Sequence, residues 1–353
     1  MAATTHWLGD PPAEHHPLTA WALSRIAATV AEDARVDAVV EISYEERESA
    51  PELAGPFGCG TTGGPAPRWP GGTRAFRLEG VSSALLREED SCEPWAALFD
   101  PARLIRGIGA VTRAERGEGG VELSLVPHPL FADPTDAWLP PGARGLVVRL
   151  DPVTGFLSSA TLHDDRGPLA TARVEEPGVR DVRSSAAAGR VVARMARTLV
   201  EPVRLTADVA VEADPYEDLT FAGEPSARSW TVSASGRELT VTGDYAPDAT
   251  SPAAARLAEL LAPARIVSHL AHVTAVSATS VRAGVRPLRA FPLSAWASDE
   301  SLTCDFTIDP ETGVLVRAEA TAEGTAGATG GEEADGRVVL RHVVTALGAS
   351  AQG

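Results

Sequence analysis

Asp151-Pro152-Val153-Thr154-Gly155-Phe156-Leu157 returns near the other end of the chain as Asp309-Pro310-Glu311-Thr312-Gly313-Val314-Leu315. Each copy lies between two strand-like segments, Gly145–Leu150 and Ser158–Leu162 around the first, Leu302–Ile308 and Val316–Ala320 around the second. In Asp-Pro-x-Thr-Gly the proline fixes φ at the second turn position, and the glycine supplies the positive φ that the returning strand needs. Both copies therefore read as β-hairpins. A duplicated hairpin implies a duplicated unit.

The elements around the two copies follow one order. In the first half, a helix runs from Leu18 to about Asp33, with Leu23, Ile26, Ala27 and Val30 at helical spacing. Val36, Ala38, Val40 and Ile42 then alternate with more polar neighbours, the period of a half-buried strand. Residues 49–73 are dominated by glycine and proline and read as a long loop. Strands are expected at Ala75–Leu78, Ser83–Leu86 and Val121–Val126, with a helical stretch from Pro94 to about Val111 interrupted at Asp100-Pro101. The second half repeats this order with a helix at Ala186–Leu199, a strand at Val203–Glu212, a strand-turn-strand over Ser229–Gly243, a helical segment at Ala253–Val273 and a last strand at Arg337–Val344. Leu261-Ala-Pro-Ala-Arg-Ile-Val267 echoes Phe99-Asp-Pro-Ala-Arg-Leu-Ile105. The spacing between equivalents narrows from Val36/Leu205 through Pro101/Pro263 to Asp151/Asp309, each loss falling on a loop of the first half.

The 353 residues accordingly divide into a flexible arm (1–17), a first domain (18–176), a polar linker (177–185), a second domain (186–348) and a short tail (349–353). Each domain is long enough for its own core. The expected class is α+β: two tandem, strongly curved antiparallel sheets, half-barrels, each covered on one face by helices.

Composition excludes several functions. A net charge of -17, spread over both halves, repels phosphate backbones and anionic headgroups. Nucleic acid and polybasic membrane docking are not expected. The N-terminal residues lack the basic and apolar regions of a secretory signal, which points to the cytoplasm. No window offers the roughly 18 to 20 apolar residues of a membrane span. The chain contains no lysine, which removes P-loop and Schiff-base chemistry, and it has no G-x-S-x-G or H-E-x-x-H motif. Cys59, Cys92 and Cys304 form no C-x-x-C pair, so a zinc site is not expected, and a Cys59–Cys92 bridge stays open.

Few local constellations carry chemistry. Gly58-Cys-Gly60-Thr-Thr-Gly63 matches G-x-G-x-x-G but lacks a strand before it and a helix after it, the context of a phosphate cradle. His269 and His272 stand three apart without a neighbouring carboxylate or cysteine, as an amphipathic helix face also would. His128, and His163 before Asp164-Asp165, are general-base candidates in turns. The acidic run Arg87–Glu93 reads as a solvated turn. No metal or cofactor is expected. Tryptophan is the informative residue, with seven in a chain of only 5% aromatic content.

The N-terminal helix, the strand meander, the Asp-Pro-Ala-Arg-Leu-Ile segment and the Leu302-Thr-Cys-Asp-Phe-Thr-Ile-Asp-Pro-Glu-Thr-Gly-Val-Leu hairpin together resemble the LolA/LppX superfamily of lipoprotein carriers, of actinobacterial type. The resemblance implies an open half-barrel with an apolar cavity for acyl chains or a similar greasy molecule. The expected lid and cavity residues are Trp95, Leu98, Phe99, Leu104, Ile105 and Ile108 in the first half. In the second they are Trp230, Leu257, Leu260, Leu261, Ile266, Leu270 and Trp296. The expected activity is binding of a hydrophobic or amphipathic small molecule or lipid. The alternatives are a cyclase-type enzyme of secondary metabolism working by confinement in the same cavity, or a regulatory sensor that binds a protein partner.

Overall fold

The computed structural model describes residues 6–46, 71–89, 91, 93–127, 143–201, 204–213, 227–235, 238–243, 246, 257–258, 260–285, 302–322 and 337–349. Residues 49–70 of the expected Gly/Pro loop, with the Gly58–Gly63 motif, lie outside them, whereas Gly72 and Thr73 at its expected end are already strand. The chain divides into two units, residues 1–29 with 33–183, and residues 30–32 with 184–353.

In the first unit α1 (His15–Ala28) and a 3-10 turn lead into β1 (Glu32–Tyr44), followed by β2 (Gly72–Ser82), α2 (Ser83–Glu88), α3 (Ala96–Phe99) and α4 (Arg103–Gly107). Then come β3 (Ile108–Gly117), β4 (Gly120–Pro127), β5 (Gly145–Leu150), β6 (Leu157–Asp164) and β7 (Gly167–Ser184). The second unit contains α5 (Ala186–Arg197), β8 (Arg204–Ala213), β9 (Ala227–Ser235), β10 (Glu238–Thr242), β11 (Leu270–Ala275), β12 (Ser280–Val285), β13 (Leu302–Ile308), β14 (Leu315–Ala322) and β15 (Arg337–Ala349).

The two sheets share one topology. The first runs β2-β1-β7-β6-β5-β4-β3 and the second β10-β9-β8-β15-β14-β13-β12-β11, identical apart from the added edge strand β10. In each, the last strand of the unit inserts between the first strand and the hairpin strand. Both are antiparallel, curved and unclosed, the α+β arrangement read from the sequence. Alternation decides the faces: Ala34, Val36, Ala38, Val40 and Ile42 of β1 are buried, as are Leu302, Cys304, Phe306 and Ile308 of β13. The helices lie on the buried faces, α1 against β3, α3 against β6, and α5 against β11 and β12. Nδ1 of His15 on α1 accepts a hydrogen bond from the Ala114 N–H (3.0 Å), which satisfies a donor of edge strand β3. Among the described residues no helix is long and apolar enough to cross a membrane.

Several expected elements take other forms. Ser83–Leu86 is helical, because the Ser82 side chain caps the Leu85 N–H (3.2 Å) and starts α2. The stretch from Pro94 to Val111 breaks at Asp100-Pro101 into two short helices, and Ile108 is already strand. The matching segment Ala253–Val273 includes helical residues 257, 258, 260 and 261, a 3-10 turn Arg265–His269, and strand from Leu270 onward. The linker expected at 177–185 is largely strand: β7 continues to Ser184 with left-handed Glu176 and Asp181 (φ 50° and 51°). It runs beside β1, where Gly178 lies against the Asp37 backbone, a neighbour that local composition does not reveal. Within the expected arm His6–Leu8 form a 3-10 turn, and the Trp21 indole donates to the Gly9 carbonyl (3.0 Å). β15 reaches Ala349, the first residue of the expected tail.

Candidate ligand-binding layer

The two hairpin turns are built alike. Asp151 accepts from the Thr154 hydroxyl (3.0 Å) and the Val153 N–H (2.8 Å), and Asp309 accepts from the hydroxyl and N–H of Thr312 (2.7 and 2.8 Å). The glycines are left-handed, Gly155 at φ 74° and Gly313 at φ 78°. Each turn is seated on the first helix of its unit, over Arg25 and Thr29 in one and Arg194 and Thr198 in the other. Arg25 is 1% exposed and donates to the Pro152 and Val153 carbonyls (3.3 and 3.0 Å). Thr29 and Thr198 each donate to the backbone carbonyl three residues earlier (2.6 Å in both). Arg-x-x-x-Thr on the helix is thus the counterpart of Asp-Pro-x-Thr-Gly on the hairpin.

The segment that leads into β3 in the first unit and into β11 in the second covers the apolar face of the sheet. In the first unit Trp95, Leu98, Phe99, Leu104, Ile105 and Ile108 are all buried beneath the cover. Trp95 meets Phe99 (centroids 6.3 Å), and Phe99 meets Phe156 edge-on (5.8 Å, 78°), the favoured aromatic geometry. Asp100 and Arg103 are buried together, with Nε and Nη2 of Arg103 each donating to Oδ2 of Asp100 (3.2 Å) and Nη1 to the Ser91 carbonyl (2.9 Å). In the second unit Leu257, Leu260, Leu261, Ile266 and Leu270 take the same places and are equally buried. The side chains form a packed layer between cover and sheet. Trp230 lies in β9 opposite Val209, and Trp296 is outside the described residues.

Aligning the units on hairpin and cover shows where the large side chains sit. The first unit puts them on the cover side, with Trp95, Phe99 and Phe156 where the second has Leu257, Leu261 and Val314. The second puts them on the sheet, with Phe306 and His342 where the first has Val148 and Ala172. Phe306 and His342 are both 0% exposed. They stand in one buried row across the sheet, His342 beside Val211 of β8 and Ala318 of β14, and Ala318 beside Phe306. The opposite face of these strands carries the ion pairs Arg282–Asp305 and Arg341–Glu319, so His342 points to the helix-covered side. Its Nε2 lies 3.2 Å from the Leu315 carbonyl, its Nδ1 has no hydrogen-bond partner among the described residues, and burial depresses its pKa to about 4. The imidazole is neutral at physiological pH. Sequence reasoning passed over His342, Phe306 and Phe156; the hairpin offset aligns Phe306 with Val148 and Val314 with Phe156, but His342 is matched to Ala172 only through the pairing of Ala318 with His342 and of Ala160 with Ala172.

The remaining candidates do not converge. His269 is buried at the end of the 3-10 turn, whereas His272 is exposed in β11 at φ 49°, so the two do not share a helix face. His163 lies in β6, and the neighbouring Asp164 carboxylate accepts from the Arg166 and Gly167 N–H groups of its own turn (2.7 and 3.0 Å). His128, Cys59 and Cys92 are outside the described residues. Cys304 is buried in β13, and burial pushes its thiol pKa up. The acidic run begins inside α2, where Arg87 is buried. A polar cavity of about 290 Å³ in the first unit is lined by Asp33, Arg35, Asp181, Val182 and Arg183. Partial burial raises the Asp33 pKa, but the Ser82 hydroxyl, the Ala84 N–H, Arg35 and Arg87 outweigh it and hold the carboxyl below its usual range.

Fold and layer define a tandem α+β half-barrel protein whose helical covers sit on apolar sheet faces. No family model and no curated protein matches the chain. Among solved structures it is similar to "The complex structure of Pseudomonas aeruginosa MucA/MucB", at 11% identity over 92% of each chain and a TM-score of 0.23. It is also similar to "Crystal structure of MucB", at 12% identity over 92% of this chain and 90% of that one, with a TM-score of 0.21. Superpositions this loose carry no weight for fold or function.

Proposed function

We propose that this protein binds a hydrophobic or amphipathic small molecule, acyl-chain or lipid-like, held between the helical cover and the sheet. The reading rests on one observation, the apolar layer that recurs in both units beneath a cover of very short helical pieces. Helices of four and five residues are not stable by themselves. Contact with the sheet holds them in place, and that contact is non-directional apolar burial, which an acyl chain supplies as well as a leucine does. An entering chain replaces cover-to-sheet contacts with cover-to-ligand and ligand-to-sheet contacts, and little apolar area is exposed in the exchange. The seated hairpin turn and first helix provide the rigid frame.

Native mass spectrometry of the protein purified from its own host, followed by extraction and identification of what co-purifies, tests the proposal. A bound hydrophobic molecule at up to one per unit is expected. An empty chain that also leaves a fluorescent fatty-acid probe unbound would overturn it.

A further inference from the structure

His342 is a polar side chain built into an otherwise apolar row. Only a ring N–H can bond the Leu315 carbonyl, so Nε2 carries the proton and Nδ1 presents a bare lone pair to the interior. A buried acceptor left unpaired forfeits its solvation without return, a cost that Ala172 at the same place in the first unit avoids. We infer that the second unit takes an amphipathic ligand whose polar end is a hydrogen-bond donor, received by Nδ1 of His342, while the first unit takes purely apolar chains. The inference rests on the binding function proposed above and refines it. Smaller residues accompany the histidine: Leu257 and Leu261 of the cover and Val314 of the hairpin stand where the first unit has aromatic side chains. The ring is held by the Leu315 carbonyl at one nitrogen, so its other nitrogen has a fixed direction. An alcohol or a protonated acid satisfies it. An ether or an ionised carboxylate, lacking a proton to give, does not.

Isothermal titration of the full chain with decan-1-ol and decyl methyl ether separates the outcomes. The alcohol is expected to bind the wild-type protein roughly three- to tenfold more tightly than the ether, the worth of one net hydrogen bond. That preference is expected to vanish in His342→Phe, which keeps an aromatic ring. Equal binding of both probes to the wild type, or a preference that survives in His342→Phe, overturns the inference and leaves the binding function standing. Binding of neither probe overturns both. If His342→Phe does not fold, the nitrogen spectrum of the wild-type histidines decides: the His342 Nδ1 resonance should move with decan-1-ol and stay with the ether. A resonance unmoved at saturating alcohol overturns the inference.

Discussion

A side-chain carbon on Gly313 would stand 2.6 Å from the backbone carbonyl oxygen of Arg194, closer than such atoms approach. The hairpin of the second unit therefore touches its first helix backbone to backbone. Gly155 is in the same position over Arg25, where an added carbon would meet the guanidinium at 2.6 Å and the Thr29 methyl at 2.8 Å. Both glycines are also left-handed. Gly313→Ala is expected to cost more than about 2 kcal/mol, from the unfavourable backbone and the displaced helix together. Gly155→Ala should cost somewhat less, because a side chain yields more readily than a helix carbonyl. Urea unfolding of the two variants against wild type measures both.

Arg25 and Arg194 occupy equivalent places but not equivalent surroundings. Arg25 is fully buried beneath the turn and bonds two of its carbonyls, whereas Arg194 is partly exposed and pairs with Glu201 (2.9 Å). Arg25→Ala should destabilise by roughly 3 kcal/mol through lost packing and unpaired carbonyls. Arg25→Lys should recover only part of that, since a compact ammonium does not reproduce the fork. Arg194→Ala is expected to cost about 1 kcal/mol or less. Thermal melts of the three variants rank them.

The buried Asp100–Arg103 pair in the cover gives a third test. Asp100→Ala strands a buried guanidinium and should cost about 3 kcal/mol or more. The double variant Asp100→Ala with Arg103→Met should regain most of the loss. The second unit already carries Ala262 at the acid's place, and its Arg265 is less deeply buried. A double variant no more stable than the single one would show that the pair is not what makes Asp100 necessary.

Burial of His342 links stability to pH. Unfolded, the imidazole takes a proton near its ordinary value of 6.5, but folded it does so only at about 4. Above pH 6.5 neither state is charged and nothing is lost. As pH falls from 6.5 toward 4 the unfolded state alone binds the proton, and stability should decline by about 3 kcal/mol. In His342→Phe that part of the pH dependence should disappear, which denaturant midpoints at pH 7 and pH 4 will show.

Cys304 reports the opening of the second unit. Its thiol is buried in β13 and its ionisation is suppressed, so a thiol reagent should label it only on unfolding. In a Cys59→Ser/Cys92→Ser background, labelling under native conditions at the rate of an exposed thiol would show that the layer opens readily.

Much of the fold was legible because its signals are local. The Asp-Pro-x-Thr-Gly turn, the alternation in β1 and β13 and the apolar cover segments each follow from the chemistry of neighbouring residues, and their repetition shows two units of one kind. The sequence by itself thus determined the duplication, the hairpins and the α+β class. Tertiary structure decided what depends on partners distant in the chain. Ser83–Leu86 became helix when Ser82 capped it, and residues 177–184 became strand as the continuation of β7 beside β1. His342 became a buried, half-satisfied imidazole only because strand pairing set it beside Ala318 and Val211. Local propensity is written in adjacent residues, whereas ladder pairing and burial depend on where the fold brings distant ones.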